Sequence, residues 1–286
     1  MTSVGLSLLG PAGSTAASMG LGVLRERLLQ TARRDQGISN EVSGCQADLD
    51  PARTMRLVVL DAREGREAEA ATLLWNTARD IATLGPDQAE LDHEIAGFAE
   101  VLADPRACEI MLDHGARCEL FGFPFRPMEQ VAEELAATTP ARVAETMAAS
   151  LRTALLVVPE DCEVALADLD GKPLTLGGCT RAADAPAGTV LRPKLFARAI
   201  DKSARRARLV LTADGIAYVD GDGDVHFAAF TDVVGVQMAD DARILFTRGG
   251  CVIPVDKELF SGVDVAIRAI DAAVPAELRY QSSELN

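Results

Sequence analysis

Aromatic residues make up only 4% of the 286 residues, and the chain has three histidines, His93, His114 and His226. His93 and His114 fall on predicted helices and His226 on a predicted strand. Neither H-E-x-x-H nor the inverted H-x-x-E-H occurs. In the adjacent pair His93-Glu94 the side chains diverge by about 100° on a helix, so they cannot chelate one ion from one face. No metal site is expected from these residues. A Gly-rich phosphate loop is also missing, since Gly20-Leu21-Gly22 is too sparse for a nucleotide fingerprint. There is no G-x-S-x-G elbow, and no cysteine is expected to be activated by a neighbouring histidine. An independent enzyme would therefore need a constellation of nucleophile and base that the sequence does not display. No apolar run approaches the ~20 residues needed to span a bilayer.

Basic residues are scarce relative to acidic ones: Lys+Arg number 28 against 43 Asp+Glu, a net charge of −15. Such a surface disfavours nucleic acid and anionic lipid, so neither nucleic acid nor a membrane is expected as a partner. The basic knot Lys202, Arg205, Arg206 and Arg208 reads as a solvated linker run. Asp220-Gly221-Asp222-Gly223-Asp224 begins like a calcium loop, but the loop rule needs a carboxylate about 12 positions after the first ligand. A hairpin turn is the better reading. The six cysteines, Cys45, Cys108, Cys118, Cys162, Cys179 and Cys251, form no C-x-x-C pair. They read as reduced thiols of a cytoplasmic protein.

What is abundant is alanine and short aliphatic periodicity, with 48% hydrophobic residues, enough for one large or two ordinary cores. The N-terminal stretch lacks a basic residue before its apolar part and is broken at Gly10-Pro11, so a first strand fits better than a secretion signal. Thr2 to Leu9 is that strand. Ser14 or Thr15 caps the next helix, whose apolar residues Val23, Leu24, Leu28 and Ala32 recur at helical spacing. The helix ends on Arg33-Arg34-Asp35-Gln36-Gly37, with Gly37 supplying a left-handed stop. Strands follow at 39–48 and Met55 to Asp61. Helices follow at Glu67–Leu84, Asp87–Leu102, Ala107–Leu120, Met128–Ala137 and, after the Thr139-Pro140 start, Ala141–Leu151. Thr153 to Val158 is a closing strand.

From Glu160 the texture becomes rich in Asp and Gly, with turn signals at Asp170-Gly171 and Gly177-Gly178. Short strands then recur: Arg208–Thr212, Ile216–Val219, Val225–Phe230, Val233–Met238, Arg243–Thr247 and Cys251–Pro254. A helix, Phe260–Ala273, closes the chain. The fold class expected is α+β. An α/β sandwich domain at 1–160 (β-α-β-β, a helical block, β) precedes a linker at 161–188. A small antiparallel β barrel or sandwich, capped by a C-terminal helix, occupies 189–286.

The first 160 residues resemble the non-catalytic, C-terminal-type domain of the insulinase/pitrilysin family of zinc metallopeptidases. The resemblance lies in the order of Ala32-Arg33-Arg34-Asp35-Gln36-Gly37-Ile38-Ser39-Asn40, then Gly85-Pro86-Asp87-Gln88-Ala89-Glu90-Leu91, then Thr139 to Val143, then Leu155-Leu156-Val157-Val158-Pro159. In that family the domain closes over the substrate and supplies an Arg and a Tyr that hold the peptide backbone. By position the Arg is Arg33, while Asn40 stands where the Tyr would be. The resemblance implies a substrate-holding or regulatory subunit of a split peptidase that binds no cofactor itself. Zinc and the H-x-x-E-H motif would belong to a partner subunit, and a peptide would be the substrate. The competing reading is an interaction or scaffold protein reusing a degenerate peptidase domain, for which a homodimer is one possible assembly. The second domain is similar in strand rhythm, and in Leu211-Thr212-Ala213-Asp214-Gly215-Ile216, to pleckstrin-homology-like or GRAM-like modules, whose fold does not select a ligand.

Overall fold

The computed structural model describes residues 2–159, 162–175, 181–182, 184–196 and 205–281. The Gly177-Gly178 turn, Cys179 and Lys202 lie outside the described residues. The fold is mixed α+β and divides into two compact units, Met1–Leu174 and Thr175–Asn286.

The first unit runs β1 (Thr2–Pro11), α1 (Thr15–Leu28), β2 (Ser39–Asp50), β3 (Arg53–Ala62), α2 (Glu67–Leu84), α3 (Gln88–Ala103), α4 (Ala107–Phe121), α5 (Met128–Ala136), α6 (Pro140–Leu151) and β4 (Leu155–Val157). Its sheet has the order β2-β3-β1-β4, with every pair antiparallel. The N-terminal stretch is thus an inner strand. Val4, Leu6 and Leu8 of β1 are at most 2% exposed, and the matching alternation in β3 buries Val58, Leu60 and Ala62. Side chains one residue out of phase, such as Leu57 and Val59, lie on the opposite, partly open face. Helices α1, α2 and α6 bury Leu24, Leu28, Leu74, Trp75, Val143 and Met147 in the same core as the β1 residues. Small residues permit the close fit: a Cβ on Gly20 would stand 2.8 Å from Met147 Cγ.

The expected helix starts are built as the chemistry requires. Ser14 accepts a hydrogen bond from the Ala17 amide, and Thr139 accepts one from Arg142 ahead of Pro140. Asp87 and Glu90 form a reciprocal capping box at α3. The end of α1 differs from expectation. The helix does not stop as an α-helix but widens into a π-helical segment, Leu29–Asp35. The Gln36 amide donates to the Thr31 carbonyl and the Ile38 amide to that of Ala32. Gly37 then takes the left-handed conformation, φ 59°. Leu28 and Ala32 are both fully buried as the chain turns into β2.

The first unit also extends past the expected boundary at 160. Leu166 is buried in its core, Val164, Leu169 and Leu174 pack beside it, and the Trp75 indole N–H donates to the Ala167 carbonyl at 2.8 Å. The stretch expected as a linker is therefore divided, its first part belonging to the first unit. The Asp170-Gly171 turn is present, with Gly171 at φ 80°.

The second unit holds a five-stranded and a four-stranded sheet. The first comprises β5 (Arg181–Ala182), β6 (Thr189–Leu191), β7 (Arg208–Leu211), β8 (Gly215–Val219) and β9 (Val225–Ala229). The second comprises β10 (Val233–Ala239), β11 (Ala242–Thr247), β12 (Val252–Asp256) and β13 (Arg279–Gln281). Leu209, Ile216, Val236, Leu245, Ile253 and, from α7 (Asp264–Ala273), Ile267 and Ile270 share one core. The antiparallel expectation is corrected at one strand: β13, after α7, pairs parallel with β10. Arg279 at its start donates to the Asp271 and Val274 carbonyls, closing the C-terminal end of α7. Arg243 holds the same helix through both oxygens of Asp271 at 2.9 Å. Asp220 turns the β8–β9 hairpin by accepting from the amides of Asp222, Gly223 and Asp224. Its carboxylate is thus used by its own turn.

Leu24, fully buried between helix and sheet, is expected to cost about 2–5 kcal/mol when replaced in Leu24→Ala. Leu112→Ala, at a side chain 73% exposed on α4, is expected to stay within about 0.5 kcal/mol of the parent. Urea denaturation of the two variants measures the contrast.

Candidate functional site

Arg33 lies in the π-helical segment and Asn40 near the start of β2; both are exposed. Arg33 makes no hydrogen bond or ion pair among the described residues. The Asn40 amide donates to Asp61 Oδ2 at 3.4 Å, across the β2–β3 pair. Among the described residues no hydrogen bond or ion pair joins Arg33 to Asn40, and neither lines the two cavities along α2. Among the described residues β2, which carries Asn40, is an edge of the sheet, paired only with β3. Its outer backbone groups are therefore free to receive another strand.

The structure offers a second feature that sequence reasoning did not find. A cavity of about 630 Å³ opens between α1, α2 and α3, lined in part by Val23, Glu26, Arg27, Leu73, Asp80 and Glu94. Arg27 and Glu90 cross it as a two-pronged ion pair, Nε to Oε1 at 2.6 Å and Nη2 to Oε2 at 2.7 Å. This pair holds Glu90 below the usual carboxylate range and Arg27 above its ordinary value. Glu90 had been read only as part of a sequence signature. Its partner stands 63 positions away, a separation no local pattern encodes. Glu94 differs: it makes no ion pair among the described residues, and burial pushes its carboxyl above the ordinary value, with His93 and Arg25 opposing and Glu26 adding to the shift.

Elsewhere the chemistry is muted. Among the described residues no group of three or more His, Cys, Asp or Glu is arranged to hold a metal ion. Cys45, Cys108, Cys118 and Cys162 are free thiols, and burial followed by the nearby Glu67 raises the Cys162 thiol, which suppresses its thiolate. His114 lies 3.7 Å from Cys118 Sγ on the same helix. Cys251 is disulfide-bonded, which corrects the expectation of six reduced thiols and removes the cysteine argument for a cytoplasmic setting. Among the described residues no helix is long and apolar enough to cross a membrane.

No family model matches the chain, and no curated protein matches it. Solved structures do. The first half of the periplasmic protease PqqL from Escherichia coli is similar at 16% identity, over 54% of this chain and 38% of that one, with a TM-score of 0.43. A peptidase M16 inactive domain from Pseudomonas fluorescens is similar at 20% identity, over 57% of this chain and 42% of that one, with a TM-score of 0.47. An inactive peptidase domain from Bordetella parapertussis is similar at 18% identity, over 57% of this chain and 93% of that one, with a TM-score of 0.42. The chain thus spans about two fifths of the length of the first two. These likenesses assign no role to any residue of this chain.

The raised carboxyl of Glu94 fixes the sign of a pH effect. A carboxyl that holds its proton more tightly in the folded chain penalises folding once pH rises through its folded value, and carries no penalty below its unfolded value. Glu94→Gln is expected to melt at higher temperature than the parent at pH 7, and the difference is expected to vanish below about pH 4. Thermal melts across that range give the measurement.

Proposed function

We propose that the first unit is the substrate-holding, non-catalytic part of a split zinc metallopeptidase, acting on peptides beside a separate zinc-bearing subunit that carries H-x-x-E-H. The observation that carries this reading is the order of elements. A capped helix runs on through the π-helical segment that carries Arg33 and hands over to the edge strand β2, which carries Asn40. The Asp87–Glu90 helix start, the Thr139-Pro140 start and the closing strand at Leu155–Val157 follow in the sequence of the resemblance. In this reading a peptide lies extended along the outer edge of β2, bonded through its backbone. Arg33, charged and exposed, donates to a peptide carbonyl. Asn40 adds a shorter-reaching amide that both donates and accepts. Zinc, held by the partner, activates the attacking water. The second unit attaches the assembly to another protein.

The exposed apolar residues of α4, among them Leu112 and Leu120, favour a second reading, an interaction protein that reuses the peptidase-like unit without proteolysis. The company the chain keeps separates the two: a zinc metallopeptidase recovered with it supports the first, and an unrelated partner or a second copy supports the other.

The chain alone is expected to cleave no peptide, and its zinc-bearing partner is expected to restore turnover. Arg33→Ala is expected to lower kcat/KM of that assembly about 10- to 100-fold, the loss of one charge-assisted hydrogen bond, while leaving association unchanged by sedimentation. Undiminished turnover by the variant would remove Arg33 from the site.

A further inference from the structure

The 630 Å³ cavity and a second of about 430 Å³ adjoin at Leu73, which lines both, in a grooved surface along α2. It runs from Ala68 to Asp80, about 18 Å at the rise of an α-helix. That length suits roughly five residues of extended chain. The floor is apolar, built by Val23, Leu73 and Ala89. One end of the rim is acidic, its charge only partly offset by the nearby Arg25 and Arg27. Glu26, Asp80 and Glu94 make no ion pair among the described residues, whereas Arg27 is taken up by Glu90. His93 stands on the same rim, and the Asp87 carboxylate is occupied as the α3 cap. At the other end Gln36 and Asn76 are neutral, and Glu69 is paired with Arg66.

Glu94 is the informative member. Its carboxylate lies directly over Gly22, where any Cβ would collide with Oε2. Glycine at position 22 is what admits this half-buried group against α1. No hydrogen bond or ion pair among the described residues rewards the placement, and burial penalises its charge by more than His93 and Arg25 favour it. A carboxylate seated at a cost to folding, beside an apolar floor, is suited to a ligand that brings positive charge and apolar surface together. Phosphates, nucleic acid and acidic peptides are opposed by the same rim.

We propose that this groove docks a short basic stretch of a partner polypeptide, extended along α2. One Lys or Arg head lies among Glu26, Asp80 and Glu94, and an apolar neighbour rests on Leu73. Neither Arg33 nor Asn40 lines the groove, although its neutral end reaches Gln36 and Ile38 between them, so the test acts at the acidic end.

The test uses the full chain and three fluorescein-labelled hexapeptides, alternating leucine with lysine, glutamine or glutamate, in fluorescence anisotropy at 0.15 M salt. The lysine peptide is expected to bind and the other two to bind at least tenfold more weakly. The double variant Asp80→Asn/Glu94→Gln is expected to weaken the lysine peptide tenfold or more. Ala89→Trp, which fills the groove without changing charge, is expected to abolish binding, its fold checked by circular dichroism. A control removing two charges from α4, Glu109→Gln/Asp113→Asn, is expected to bind as the parent does. Equal loss in the α4 control would reduce the effect to net charge and overturn the proposal. So would unaltered binding by Ala89→Trp, or a glutamate peptide that binds as well as the lysine one.

Discussion

The first unit depends on one arrangement, the double pairing of β1. Its ten residues bond to β3 along their whole length and to β4 on the other side. That fixes which side chains face the helices, because a slip of one residue would exchange the buried set for the open one. Val4, Leu6 and Leu8 then give α1, α2 and α6 a common surface. The hydrophobic effect does the rest: alternate apolar side chains of β1 and β3 meet the helical stripes, and alanine and glycine let the layers approach. Everything proposed about function is mounted on this base. β2 can present a free edge because β3 is anchored from behind, and α2 and α3 can leave a groove because α2 is already held by its inner face.

Polar groups intrude on this core at one corner. Arg56 continues the buried face of β3 where a hydrophobic residue would be expected, and is only 3% exposed. Its Nε and Nη1 have no partner among the described residues. Asp48 is nearby, but its oxygens are taken by Thr54 and Arg117. Burial pushes Asp48 up and those bonds outweigh it, so it stays ionised. An ion pair from α4 thus reaches into the edge of the sheet, while most of that helix remains exposed.

Legibility followed the range of the interaction. Strand and helix positions came through because periodicity, caps and breakers act over a few residues: Ser14, Asp87, Thr139 and Gly37 each do what their types suggest. The π-helical widening did not, since the spacing of Leu28 and Ala32 is compatible with either helix. β13 was missed because three residues after a helix carry too little pattern, and its pairing with β10 is non-local. The unit boundary moved because Trp75 reaches a carbonyl 92 positions on. For function, Arg33 and Asn40 were named through resemblance alone. The groove, which depends on residues from three helices converging, had no sequence signal of its own; Glu90 entered only as part of the stretch that carries the resemblance.

The π-helical segment between α1 and β2 has a further consequence for how this chain tolerates change in length. Wider turns of this kind accommodate an added residue without breaking the helix on either side. Removing one position between Leu29 and Asp35 would let the helix tighten to ordinary pitch. The left-handed glycine would then arrive a residue early, and the edge strand would either slip against β3 or absorb the difference in its bulge between Ser39 and Glu41. The segment and the bulge work as paired slack, one upstream and one downstream of the turn. Lengthening or shortening at one could be taken up at the other, while the inner strands keep their pairing.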